Sequence, residues 1–237
     1  MNAPFAALLR DRKPRFLEGV DVPDIKTILA AATQRCFVAN SVIVNQGYPA
    51  EHLFLLLAGR ARRFFLTEDG RKIVLLRIPP GDIFGEAVML ARPEEYLVST
   101  EAMTNSSTLV WSRSTIRSLC EQYPRLLENA LLIAFDYLAA YRAAHASLIC
   151  DSAPQRLAHV LANLAGGIGQ KIPGGVELDV RNDELANEAN ISVFTASRLL
   201  NAWQRKGILV KRRGKILLRF PERLLRHDIT TSASLVP

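Results

Sequence analysis

Residues 124–149, "PRLLENALLIAFDYLAAYRAAHASLI", contain no glycine and no proline after the first position. Pro124 suits the first turn of a helix, where its missing N–H has no partner to lose. Leu127, Leu131, Ala134, Leu138, Tyr141 and His145 recur at steps of three and four, the spacing of a helical stripe. The run divides the chain, because the patterns on its two sides differ. It is apolar on more than one side, so it is expected to pack both on its own domain and on a second copy of the chain. Burial within one monomer is the alternative.

Before the helix, residues 36–111 read as short strands rich in Val, Ile, Leu and Phe: "CFVANSVIVNQG", "HLFLLLAGRARRFFL", "RKIVLLRIPPGDIFG" and "STLVWSR". Gly47, Gly59, Gly70 and Gly81 punctuate them at intervals of about eleven or twelve residues, where the backbone can turn at no steric cost. Glu68-Asp69-Gly70 signals a hairpin. Evenly spaced short strands predict a compact sandwich or barrel. The first 35 residues add short helical stretches such as "PDIKTILAAA".

After the helix, "CDSAP" (150–154) breaks the pattern. Asp151 or Ser152 can cap a following helix, "APQRLAHVLANLAGG", with Pro154 in its first turn. "GQKIPGGVELDV" reads as a loop and one short strand. "NDELANEANISVFTASRLLN" (182–201) then has the layout of a helix-turn-helix. Asn182 can cap the first helix, and Asp183 and Glu184 follow where the helix dipole favours acids. Leu185, Ala189, Ile191, Ala196 and Leu199 fall at core spacings, and Ala186 is small where the helices would cross. Asn190 can take the left-handed turn conformation. Ser192 caps the second helix and Gly207 ends it. "ILVKRRGKILLRF" follows as two apolar strands around a basic turn, which makes the module winged.

Charge agrees with this division. Residues 1–151 carry 17 basic against 16 acidic side chains, residues 152–226 carry 13 against 6, and the tail adds one acid. A local excess of +7 suits a polyanion, with double-stranded DNA the leading candidate; a solvated basic face is the alternative. Arg212, Arg213 and Lys215 on the wing are placed for phosphates, which give salt-dependent affinity without sequence preference. In the second helix, Arg198 can reach guanine O6 and N7 in the major groove. Thr195 and Ser197 can bond to bases or phosphates, with Ser192 at the helix start. Val193 and Phe194 can press on a thymine methyl; the alternative is that Phe194 folds back onto the protein.

Other chemistries find little support. About half the residues are apolar, which is ordinary for a globular chain, and no apolar run approaches the roughly 18 residues of a membrane span. The start, "MNAPFAALLRDRKPRF", has its charges after a short apolar patch, the reverse of a secretory signal, so a soluble cytoplasmic protein without membrane partners is expected. Cys36, Cys120 and Cys150 form no CxxC or zinc spacing and are expected as reduced, mostly buried thiols, with a redox role for Cys150 the alternative. No phosphate loop, H-E-x-x-H or G-x-S-x-G is present, so no enzyme is expected.

Strand-rich residues ending in "GDIFGE" (81–86), the long helix and "ISVFTASRLL" in this order resemble the Crp/Fnr superfamily of bacterial transcription regulators, over roughly residues 20–226. The resemblance implies an α+β fold: an N-terminal β-roll of the cyclic-nucleotide-binding type (1–123), a dimerisation helix and hinge (124–150), a winged helix-turn-helix (151–226) and a tail (227–237). It implies a homodimer reading a pseudo-palindrome, an effector pocket in the roll around Gly85, Glu86, Tyr96 and Leu97, and RNA polymerase as a further partner.

Two departures from the family pattern matter. Phe194 and Val193 stand where many members carry glutamate and arginine, closer to the nitrogen-oxide and denitrification branch. Tyr96-Leu97 stands where cyclic-nucleotide binders carry Arg-Ser or Arg-Thr, leaving a cyclic phosphate without its cation, so cAMP is not expected. Three dispersed cysteines do not make an iron–sulfur site. His52, His145, His159 and His227 sit in no ligating motif, yet haem needs no short motif, so a haem- or gas-responsive member stays open. A cyclic-nucleotide-binding regulatory subunit acting through protein contacts and a non-specific architectural DNA binder are the rival readings.

Overall fold

The computed structural model describes residues 14–92, 94–212, 214–221 and Leu224. They form two compact units divided within the long helix, between Ala140 and Tyr141.

In the first unit, a 3-10 turn (Arg15–Leu17) and helix α1 (Val22–Ala30) precede eight strands: β1 (Thr33–Phe37), β2 (Val42–Val44), β3 (His52–Ala58), β4 (Ala61–Leu66), β5 (Lys72–Ile78), β6 (Ile83–Phe84), β7 (Ser99–Ala102) and β8 (Ser106–Ser112). They pair antiparallel in two four-stranded sheets, ordered β1-β8-β3-β6 and β2-β7-β4-β5. Every connection but β4–β5 crosses from one sheet to the other, which is what makes a roll. The exception is the hairpin at Glu68-Asp69-Gly70, where Gly70 has φ +79°. β3 buries five consecutive residues, Leu53 to Leu57, because both its faces are covered. Phe54 stacks on Phe84 with centroids 4.8 Å apart.

Helix α2 (Arg113–Gln122) and the first half of α3 (Arg125–Cys150) close this unit. α3 buries Leu126, Ala130 and Ile133 in the roll's core. The Asn129 amide donates to the carbonyls of Phe16 (3.0 Å) and Glu18 (2.8 Å), fixing the 3-10 turn to the helix. The other side of α3 is unburied: Leu127, Leu131, Leu132, Phe135 and Leu138 all stand exposed. No described helix is long and apolar enough to cross a membrane.

The second unit continues α3 into α4 (Ala153–Gly167), β9 (Gln170–Ile172), β10 (Gly175–Asp179), α5 (Asn182–Glu188), α6 (Val193–Arg205), β11 (Leu209–Arg212) and β12 (Lys215–Leu218). Its antiparallel sheet has the order β11-β12-β10-β9. Leu157, Leu161, Leu178, Leu185, Leu200, Trp203, Leu209 and Leu218 form its core.

Three expectations need correction. "GQKIPGGVELDV" is a two-stranded hairpin rather than a loop and one strand, because Gly174 and Gly175 both take positive φ and turn the chain back. Asn182 is the first residue of α5 rather than its cap; the Glu184 carboxylate reaches back to accept from the N–H of Arg181 at 3.3 Å. Cys36 and Cys150 are exposed, since β1 is an edge strand and Cys150 ends α3; Cys120 is half-buried, and burial pushes its thiol up to about 11.

Candidate nucleic-acid interface

The helix-turn-helix is built by short-range chemistry. Asn190 holds φ +49°, a conformation its short polar side chain tolerates. The Ile191 N–H then donates to Ala186 O at 3.0 Å, drawing α6 over α5 where Ala186 is fully buried. The Ser192 Oγ accepts from the Thr195 N–H at 3.0 Å, so α6 starts sharply. Ala196, Leu199, Leu200 and Trp203 face the core.

The opposite face of α6 is presented to solvent. Val193 is 49% and Phe194 78% exposed, so Phe194 does not fold back. Arg198 is exposed one turn further on, and Ser197 and Thr195 are half-buried beside it. The sequence-derived residues of this helix thus share one accessible end.

The wing is less free. Lys215 Nζ lies 2.5 Å from Glu177 Oε1, and Arg212 lies 3.6 Å from Glu177 Oε2. Arg213 falls outside the described residues, as does the 227–237 tail with His227. Lys211 is a cation that sequence reasoning passed over. It alternates away from Arg212 towards α6, and its ammonium donates to Asn201 Oδ1 at 2.9 Å. That alternation was the available signal.

A polar network surrounds the turn from α3 to α4. The Asp151 carboxylate accepts from Ser147 Oγ at 2.5 Å and lies 3.0 Å from His159 Nδ1. Arg156 donates to Asp151 O at 2.7 Å and, from its Nε, to Ala189 O at 2.9 Å. One guanidinium therefore ties the α3–α4 connection to the turn between α5 and α6.

In the roll, Gly85 and Tyr96 come together. A side chain on Gly85 (φ +86°) would meet His52 O at 2.6 Å and the Tyr96 ring at 3.3 Å. The Tyr96 hydroxyl accepts from His52 N–H (2.9 Å) and donates to His52 O (3.0 Å). Burial, set against these bonds, raises the Tyr96 hydroxyl above its ordinary value. Glu86 is paired with Arg63 at 2.5 Å, and that guanidinium stacks 4.2 Å from the Tyr137 ring centroid. Tyr137 donates to Asp82 Oδ2 at 3.1 Å. Leu97 is 82% exposed and stands apart from the group.

Comparison with known proteins follows the same division. Residues 34–123 match the cyclic nucleotide-binding domain, and residues 155–227 match the Crp-like helix-turn-helix domain. The chain is a member of the Crp/Fnr family. Over 212 residues this family member is 24% identical to the CRP-like cAMP-activated global transcriptional regulator of Mycobacterium tuberculosis, covering 89% of this chain and 94% of the relative. It is 26% identical to the nitrogen fixation regulation protein FixK of Azorhizobium caulinodans over 209 residues, 86% of this chain and 82% of that protein. Its fold matches the c-di-GMP-responsive global regulator CLP of Xanthomonas campestris with a TM-score of 0.75 at 22% identity, covering 84% of this chain and 99% of the other.

Proposed function

We propose that this regulator reads a pseudo-palindromic DNA site as a homodimer, with α6 in the major groove of each half-site. The observation that carries the reading is the exposed end of α6, where Val193, Phe194 and Arg198 face solvent above a fully packed inner face. Recognition helices meet bases with their N-terminal residues. Arg198 supplies a guanine contact, while Val193 and Phe194 offer apolar surface to a thymine methyl. Ser192, Thr195 and Ser197 add bonds to bases or phosphates; Lys211, Arg212, Arg213 and Lys215 add phosphate contacts. The exposed leucine face of α3 is the dimer seam.

The roll is an effector domain of the cyclic-nucleotide type with a different ligand. Glu86 is consumed by Arg63 and Tyr96 by the His52 backbone, so the residues at the family's phosphate-gripping positions offer no cation to a cyclic phosphate. The residues at these positions do not fit a cyclic nucleotide. The test is selection from a random DNA pool by the purified protein, in air and without added ligand, then with cyclic nucleotides and with haem plus nitric oxide. Enrichment of an inverted repeat supports the reading. If no condition enriches any sequence, the reading fails. Enrichment gained only with a cyclic nucleotide overturns the assignment of the roll.

A further inference from the structure

Glu177 sits in the middle of β10, in register with Leu217 of β12, which in turn faces Val210 of β11. Alternate residues of a strand share a face, so Lys215 and Arg212, two positions on and paired with each other, lie on the same face as Glu177. The contacts follow: 2.5 Å from Glu177 Oε1 to Lys215 Nζ and 3.6 Å from Oε2 to Arg212. The Glu177 side chain is only 13% exposed, whereas Lys215 and Arg212 are 47% and 56% exposed. The carboxylate is thus fixed beneath two cations that are free to meet solvent. Asp179, the register partner of Lys215, sits two residues along β10 on the same side.

We infer that Glu177 is a built-in competitor for the wing's phosphate contacts, lowering affinity for DNA of any sequence while leaving base reading by α6 untouched. A mostly buried carboxylate depends on its paired cations for compensation. It therefore continues to hold part of their charge when a phosphate approaches. Non-specific affinity comes from cations displacing counterions at phosphates, and a cation already neutralised displaces fewer. Specific affinity draws in addition on base contacts from Arg198 and its neighbours, which lie on another element. Glu177 therefore lowers specific and non-specific affinity by a similar factor, weakening the hold of the many competing sites while the ratio of specific to non-specific binding stays set by α6.

The inference rests on the wing meeting DNA, and its test separates the two claims. Full-length protein and Glu177→Gln are titrated with the selected duplex and with a random-sequence duplex over a series of KCl concentrations. Glu68→Gln, an exposed hairpin position, serves as control for net charge. Glu177→Gln should bind the random and the selected duplex more tightly by a similar several-fold factor, with a salt slope steeper by roughly 1 per protomer, about one phosphate's share, and with an unchanged specificity ratio. Glu68→Gln should change neither. Adding Lys215→Gln and Arg212→Gln should abolish the gain. An unchanged slope, or weaker binding in Glu177→Gln, overturns the inference, the latter because it would make Glu177 an organiser of the wing. If Glu177→Gln does not fold, Glu177→Asp supplies the same comparison: a retracted carboxylate should shift the slope in the same direction by less, and no shift overturns the inference. If Arg198→Ala changes sequence preference while Glu177→Gln alters nothing, only this inference falls. A wild-type chain without salt-dependent affinity for any duplex defeats both.

Discussion

At the scale of single residues, the side chains with the sharpest assigned roles are Arg198 and Tyr137. Arg198 is exposed on the first turns of α6, with no role in the core. Its removal should therefore cost no stability but relax preference at one G·C pair, a loss of about 1–3 kcal/mol in discrimination. Repeating the selection with Arg198→Ala checks this; an unchanged half-site would remove Arg198 from base reading. Tyr137 has the opposite character. Burial raises the Asp82 carboxyl, and the hydrogen bond from Tyr137, with the charges of Arg15 and Arg63, works against that rise. Because the folded value stands above the unfolded one, the folded state holds the Asp82 proton more tightly. This contribution to stability is complete below the ordinary carboxylate range and declines as pH rises through the folded value. Tyr137→Phe removes the donor, so Asp82 should titrate higher still. The variant should lose about 1–3 kcal/mol at neutral pH, and the loss should shrink in acid, where Asp82 is protonated and needs no donor. Urea unfolding across pH measures both; a loss independent of pH would mean the hydroxyl serves packing alone.

At the scale of elements, legibility in the sequence followed how local the determining chemistry is. The helix-turn-helix could be read because Asn190, Ser192 and Gly207 impose their conformations through their own backbone and cap bonds. The 3.6-residue stripe of α3 was legible for the same reason. β7 was not: "STEA" carries no apolar run, yet Ser99, Thr100 and Glu101 are buried. What compensates them is distant in sequence, as with Glu101, held between Arg62 at 2.5 Å and Lys72 at 2.6 Å. Nor was the pairing of Glu86 with Arg63, or the capture of Tyr96 by His52, visible without the sheet register. The unburied side of α3 yields its own prediction. Burying a leucine contributes about 1.5–3 kcal/mol, and in a two-fold interface each counts twice. Leu131→Asp should therefore raise the dimer dissociation constant at least about 100-fold while leaving the far-ultraviolet dichroism unchanged, because Leu131 is exposed within its own chain. Sedimentation velocity decides; a variant that stays dimeric places the seam elsewhere.

For the whole molecule, the uneven charge and the exposed α3 face have one joint consequence. The basic excess lies in the DNA-binding part, 13 cations against 6 acids over residues 152–226, so each protomer brings its own phosphate affinity. A single α6 offers few base contacts, and one half-site alone gains only part of the discrimination a long operator allows. Pairing two copies across a two-fold axis joins two such readings and fixes their spacing, since major-groove helices of a symmetric dimer meet the same face of the duplex one turn, roughly 34–36 Å, apart. The second contact is then intramolecular, and avidity is lost if geometry forbids both. Inserting about five base pairs between the selected half-sites turns one of them to the opposite face of the helix. Wild-type protein on that duplex should fall to the affinity of a single half-site, and Leu131→Asp should bind the intact and the split duplex about equally. A further insertion completing one full turn should not restore binding if α3 joins the protomers rigidly. Recovery there would instead mean that the two DNA-binding units reach independently, each on its own tether. Gel-shift titrations over the spacer series at fixed salt distinguish these outcomes.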